Sequence, residues 1–346
     1  MFAVPMFRCS IVAVPLLLLA ACGGGGGGGG DSPPAAQVSA LVITSANAQP
    51  VAAQAVETTS GAGPAQAGAS VITGVQVDAG AAAPGPQALA AAGRMLLGNV
   101  PARTNLLTGA TTTQTRACPI SGSITVTENS QSSTSATAGD SVALTANECT
   151  ANVQGAVTRM NGAMTITITS GSYNENGPYP RNVGMRIAAS NFSMTQGGVT
   201  SSSNGDLEIS LLQTSSTVTS VTLNSTALSN TITTSTGSHT VTLRNYFQKV
   251  DANSSGAIVQ SVATVETNHS RFGGGTVRFE VSTQTPLQVN SSGALVSGSV
   301  KASGTSSGLL LSVSSTDTFN LQLDTNGDGA YESSSTVTRS QLRSQL

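Results

Sequence analysis

Residues 164–169 read Met-Thr-Ile-Thr-Ile-Thr, apolar and hydroxyl side chains in strict alternation. Successive residues of a strand point to opposite faces, so this pattern buries one face and wets the other. The same period recurs on both sides of it. Ile124 and Val126 alternate with Thr125 and Thr127, and Leu207, Ile209 and Leu211 with Asp206, Glu208 and Ser210. Val277, Phe279 and Val281 alternate with Thr276, Arg278 and Glu280, and Phe319, Leu321 and Leu323 with Asn320, Gln322 and Asp324. Shorter runs at Val142–Leu144, Val221–Leu223, Val241–Leu243 and Val262–Val265 bring the expectation to roughly a dozen strands. Asn161-Gly162, Asn204-Gly205, Ser292-Gly293 and Asn326-Gly327 read as hairpin turns between them. Links this short exclude crossover helices, so the strands are antiparallel. One apolar face per strand needs a partner layer, which a curved sheet, a sandwich or a partly closed barrel would each supply. The expected fold is mainly β, an antiparallel multi-stranded sheet in one of these three forms, with short N-terminal helices.

Those helices fall upstream. Asn47–Glu57 is Ala-rich and opens on residues suited to capping a helix, and Pro86–Leu97 starts on Pro and is followed by Gly98. Ala40–Thr44 and Val71–Val77 read as short extended segments. Neither helical stretch has the Lys/Arg face of a membrane-surface helix, so both are expected to pack against the main domain.

The N-terminus reads as an address. Arg8 precedes the apolar stretch Ile11–Ala21, which is too short to span a bilayer and suits a secretory signal. It ends in Leu19-Ala20-Ala21-Cys22, which resembles the bacterial lipobox. The resemblance implies cleavage before Cys22, a diacylglycerol thioether on its sulfur and an acyl group on its amine. Acyl chains contribute about 0.8 kcal/mol per buried CH2, so several together anchor a domain stably. Gly23–Gly30, eight glycines in a row, has the composition of a tether. Gly at position 23 resembles lipoproteins sorted to the outer membrane of Gram-negative bacteria, facing the periplasm or the cell surface. The expected organisation is a signal peptide over 1–21, a lipidated cysteine and tether over 22–39, an Ala/Gly-rich segment with short helices over 40–117, and the β domain over 118–346. Cys9 leaves with the signal and Cys22 is acylated, so Cys118 and Cys149 are left to form one disulfide in an oxidising compartment. It would close a loop of about 30 residues and contribute roughly 3 kcal/mol.

Composition excludes several functions. Fourteen Lys and Arg against sixteen Asp and Glu give a net charge of −2, too little positive charge to track nucleic-acid phosphates. Seven Phe, four Tyr and no Trp leave few ring faces for sugars or bases, and too few for the aromatic girdles of a membrane barrel. The partner this leaves is the membrane, reached through the lipid; a protein or envelope partner has no signature.

One motif carries candidate chemistry. Asp324-Thr-Asn326-Gly-Asp328-Gly-Ala330-Tyr-Glu332 places oxygen donors at alternate positions with Gly at the sixth, as a calcium loop requires. Asp324, Asn326, Asp328 and the Ala330 carbonyl would converge on the ion, with Glu332 reaching it directly or through water. Two features depart from an EF-hand: Ser335 holds the twelfth position, and the flanks are strand-like. The competing reading is a hairpin turn with solvated carboxylates. No cofactor other than calcium is suggested. Hydrolytic motifs are thin. No GxSxG elbow occurs, Ser238 and His239 face opposite sides of a strand, and His269 reads as a surface residue of a polar loop. Gly273–Gly275 precedes a strand and lacks the Lys-Ser/Thr of a phosphate loop. Ser172–Arg186, with Tyr173, Glu175, Pro178, Tyr179 and Pro180, is the most aromatic loop and a place for a partner to bind.

Cys118-Pro-Ile-Ser-Gly-Ser-Ile-Thr-Val-Thr127, Ala138-Gly-Asp-Ser-Val-Ala-Leu-Thr-Ala-Asn-Glu-Cys149 and Asn161-Gly-Ala-Met-Thr-Ile-Thr-Ile168 resemble a block found in uncharacterised proteobacterial lipoproteins. Those proteins share a glycine-rich tether, an Ala-rich helix near the start and a DxNxDGxYE turn near the end. The resemblance implies a β-rich envelope domain with a Cys–Cys bridge and brings no activity. Glu128–Asp140 departs from it, being mostly Ser and Thr where a carboxylate-rich turn is usual. Taken together, the sequence points to a lipid-anchored envelope protein with a non-enzymatic structural or interaction role. A periplasmic carrier of a lipid or other apolar ligand is the alternative and a hydrolase the more distant one. The carrier would need an open aliphatic cavity and the hydrolase a carboxylate pair or histidine dyad facing a cleft.

Overall fold

The structure, a computed structural model, describes residues 38–60, 110–131, 136–153, 156–173 and 177–346. The helix expected at Pro86–Leu97, the extended segment expected at Val71–Val77, the expected lipidation site Cys22 and Glu175 lie outside the described residues.

The chain enters through β1 (Val38–Ala40) and α1 (Ala48–Thr59). The strands that follow are β2 (Ala110–Ala117), β3 (Ser121–Ser130), β4 (Ala136–Thr137), β5 (Ser141–Val153), β6 (Ala156–Tyr173), β7 (Arg181–Gln196) and β8 (Val199–Gln213). Next come β9 (Thr219–Thr234), β10 (Gly237–Asn253), β11 (Gly256–Thr267) and β12 (Thr276–Asn290). The chain closes with β13 (Leu295–Gly304), β14 (Ser307–Ser315), β15 (Thr318–Asp324), β16 (Ser333–Thr338) and a short helix α2 (Arg339–Arg343). All sixteen strands belong to one sheet, and from β2 to β16 nearly every strand pairs with the next in sequence. Of the three forms the alternation allows, the chain adopts the open curved sheet. β2 and β16 are its ends and do not pair with each other. The sheet takes in β2, upstream of the Cys118 at which the sequence reading begins it.

Curvature comes from a seam of β-bulges. Against both of its neighbours β5 holds one extra residue, at 147–149, and β7 does the same at 190–192. Farther along, β9 gains a residue on β8 and β10 gains one on β11, while β9 and β10 stay in step. Each bulge lies beside the next, so the strands bend along one continuous line. Glu148, Asn191 and Asn245 take the left-handed conformation there, with φ of 51°, 46° and 48°.

The seam corrects two expected turns. Asn161-Gly162 and Asn204-Gly205 lie in the middle of β6 and β8. Gly162 and Gly205 have φ of 94° and 115°, and a Cβ on either would overlap the carbonyl oxygen of Asn191 or Ala227 on the next strand. A lone Gly within a strand marks a close approach of this kind as readily as a turn. Asn204 Oδ1 accepts the Asn191 amide at 2.7 Å, satisfying a donor that the bulge removes from the ladder. Ser292-Gly293 and Asn326-Gly327 do lie in turns.

The concave face holds the apolar core, and α1 lies on it against β11–β14. Ten of the twelve α1 residues are buried, which an Ala-rich helix permits because it is narrow. Asn47 caps it differently from expectation. Its Oδ1 accepts the Thr44 amide and its Nδ2 donates to Val42 O, bracing the preceding turn. Pro50, in the first turn, has no amide for a cap to accept. The expected strand at 40–44 is shorter and begins earlier. β1 pairs in parallel with Thr276–Arg278 of β12, and Leu41 then bonds to Arg278 and Thr305. The convex face carries hydroxyl pairs such as Thr231–Thr240 and Ser229–Thr242, and the ion pairs Arg186–Asp206 and Lys249–Asp251.

Cys118 and Cys149 form the disulfide, with Cα atoms 5.4 Å apart. It ties the corner after β2 across β3 to the bulge of β5. Replacing both cysteines by Ser should lower unfolding free energy by roughly 3.7 kcal/mol, the chain-entropy value for such a loop. Urea denaturation of the oxidised wild type and the double variant measures it, and the reduced wild type should match the variant.

Candidate metal centre

The connection from β15 to β16 carries the acidic motif. It is a hairpin loop closed by Glu332 N donating to Leu323 O at 3.0 Å. Asp324, at the end of β15, is buried at 6% exposure, while Asp328 and Glu332 are exposed. The three carboxylates each bring an oxygen within 4.8 Å of the others, an acidic cluster able to bind a metal ion.

Within the loop these oxygens also accept amides. Asp324 Oδ1 takes Gly327 N at 2.6 Å and Asn326 N at 3.3 Å, and its Oδ2 takes Gly329 N at 3.0 Å. Asp328 Oδ1 takes Ala330 N, and Glu332 Oε2 takes Thr325 N at 2.7 Å. The Asn326 side chain bonds to Asp328, its Oδ1 accepting the Asp328 amide and its Nδ2 donating to Asp328 Oδ2. Ser335 pairs with Leu321 in the sheet, so the twelfth position of an EF-hand has no counterpart here. The loop thus meets both readings of the sequence. It is a hairpin turn ordered by its own hydrogen bonds, and it brings Asp324, Asp328 and Glu332 together.

Burial by itself would raise the Asp324 pKa. The amides of Gly327, Gly329 and Asn326, with the Lys301 ammonium nearby, outweigh burial and hold the carboxyl below its ordinary value.

Two features escaped the sequence reading. His239 and His269 are in ring contact, with centroids 4.6 Å apart, although the polar loop around His269 suggested an isolated surface residue. The signal was the β10–β11 register, in which Val241 faces Thr267, so two steps further His239 faces His269. Among the described residues no Asp or Glu side chain hydrogen-bonds either ring, and Ser238 bonds Thr233 on the opposite face. The second feature is α2, whose Thr338-Arg-Ser-Gln341 start is a capping box. Of the aromatic loop, Tyr179 is described, with the Arg181 guanidinium 4.4 Å over its ring and Arg181 bonded to Gly177 O.

Because folding lowers the Asp324 pKa, its contribution to stability is complete above the ordinary carboxylate value and is lost as pH falls below about 4 through the folded value. Thermal melts between pH 7 and pH 3 should show the wild type losing more stability over that window than Asp324→Asn. The variant should be the less stable protein at pH 7.

No protein-family model matches this sequence, and comparison with curated proteins and with solved structures gives no match.

Proposed function

We propose that this chain is a lipid-anchored protein of the cell envelope, held at the outer membrane by acyl chains on Cys22, with a structural or interaction role and no catalysis. The observation that carries the reading is the sequence Leu19-Ala-Ala-Cys22 running directly into eight glycines, seven residues before β1. The route of the chain supports it. A pull transmitted through the tether arrives at β1, where the main chain is bonded to β12 and to the β13–β14 turn, and Ile43 N donates to Ser307 Oγ at 2.8 Å. The hydroxyl pairs and ion pairs of the convex face suit water, which leaves membrane attachment to the lipid. α1 covers the apolar face over β11–β14.

Calcium belongs to the same proposal as the ion of the Asp324–Glu332 loop. A hard cation with six to eight oxygen ligands fits a set made only of oxygens, from Asp324, Asn326, Asp328, Glu332 and the Ala330 carbonyl. Its role would be to fasten the hairpin at the end of the sheet.

Fractionation of cells producing wild type or Cys22→Ser tests the anchor. The wild type should sediment with membranes and incorporate labelled palmitate, and the variant should be soluble and unlabelled. Membrane-bound Cys22→Ser protein would contradict the anchor. For the loop, calorimetric titration should give calcium binding in the wild type that weakens at least tenfold in Asp328→Ala; no heat at millimolar calcium removes the ion.

A further inference from the structure

The chain has two histidines in 346 residues, thirty positions apart in sequence, and folding brings them into contact. His239 lies on β10 in the alternation that turns Leu243 toward the core, and His269 follows the end of β11. Continuing the β10–β11 register two residues past its last pair, Val241 with Thr267, sets them opposite one another. The rings meet edge to face at 4.6 Å, and buried Phe272 closes the far side of His269 with centroids 6.2 Å apart.

His269 is oriented from two directions. Its Nδ1 accepts the Arg271 amide at 3.2 Å, which leaves the ring proton on Nε2, and the ring donates a hydrogen bond to the main chain of Leu346. Three separate segments therefore converge: the start of β10, the loop after β11, and the residues that follow α2.

We propose that His239, His269 and the main-chain oxygen of Leu346 bind a divalent transition metal of the zinc, copper or nickel class. The spacing suits one ion. Imidazole nitrogens about 2.0–2.1 Å from a tetrahedral metal put the two ring centroids about 5 Å apart. On binding, the His269 proton passes from Nε2 to Nδ1 through water. The metal takes its place between Nε2 and the Leu346 oxygen, and the exposed Arg271 amide turns to solvent. Water completes the coordination, and the number of ring protons is unchanged.

The two rings are in the form that ligates. Burial, then the partner imidazole, lowers the His239 pKa; burial, then Arg271, lowers that of His269 against the Leu346 hydrogen bond. The positive charge that opposes the ion is Arg271, whose guanidinium is turned to Gln345 Oε1 at 2.7 Å. Nitrogen donors select borderline metals, which separates this site from the all-oxygen loop at Asp324–Glu332. A bound ion would clasp the residues after α2 to the sheet.

Calorimetric titration of the full chain with zinc chloride tests the proposal, with copper paramagnetic resonance as a second measurement. The wild type should bind one zinc ion. His239→Asn and His269→Gln, with unchanged circular dichroism, should each weaken binding at least tenfold, and Asp328→Ala should leave it unaltered. The copper spectrum should show hyperfine coupling to two nitrogens, lost in either histidine variant. Absence of zinc binding at millimolar metal, or less than a tenfold loss in either histidine variant, would overturn the proposal.

Discussion

At one level of the sheet, β5, β7, β9 and β10 each hold a residue more than a neighbouring strand. This mismatch is the constraint on which the remaining architecture depends. An extra residue cannot enter the hydrogen-bond ladder, so the strand kinks and its twist increases. Repeated on adjacent strands, the kinks align into a fold line and the sheet curls. Curling creates a concave side, and the concave side gives the apolar face of the sheet somewhere to go without a second sheet. α1 then serves as filler, and its small side chains fit where a bulkier helix would hold the strands apart. Asn204 illustrates the precision of the arrangement, since its side chain accepts the amide that the bulge at Asn191 strands.

The bulges also exchange the faces of a strand. On β7, Val183, Met185, Ile187 and Ala189 are buried, and beyond Asn191 the buried residue is Phe192. On β10 the buried set passes from Leu243 to Tyr246, Gln248 and Val250. Polar side chains are thereby carried into the interior. Gln248 is fully buried, and its Nε2 donates to Thr59 O at 3.4 Å, at the end of α1. Tyr246 is buried as well, which raises its pKa and keeps the phenol neutral. Phe247, between them, is left on the convex face at 38% exposure.

This exchange explains how far the sequence could be read. Within half a strand the alternation is intact, so 164–169, 207–211, 277–281 and 319–323 announce both their conformation and their buried face. At the fold line the phase slips, and a long strand such as β6 reads as a short one next to a turn. Asn161-Gly162 carries the turn dipeptide because a bulge opposite needs the same backbone freedom as a hairpin. The acidic loop was legible because its ligand spacing is local, three carboxylates within nine residues. The His239–His269 contact was not, because it depends on the register of β10 against β11, which the bulge at Asn245 shifts by one residue and which no local pattern announces. The disulfide was legible by counting, on the expectation that Cys9 leaves with a signal peptide and Cys22 is acylated.

The juxtaposition of His239 and His269 depends on a register that the bulge at Asn245 shifts by one residue. The phase of β10 across Asn245 is therefore the most direct object of measurement. Cysteines placed singly at Phe247 and Gln248, with the Cys118–Cys149 bridge intact, can be timed for reaction with a maleimide under native conditions. The bulged strand predicts rapid labelling at 247 and protection at 248, opposite to the hydropathy of the two residues. Protection at 247 with rapid labelling at 248 would mean an unbroken alternation from Leu243, and would contradict the account.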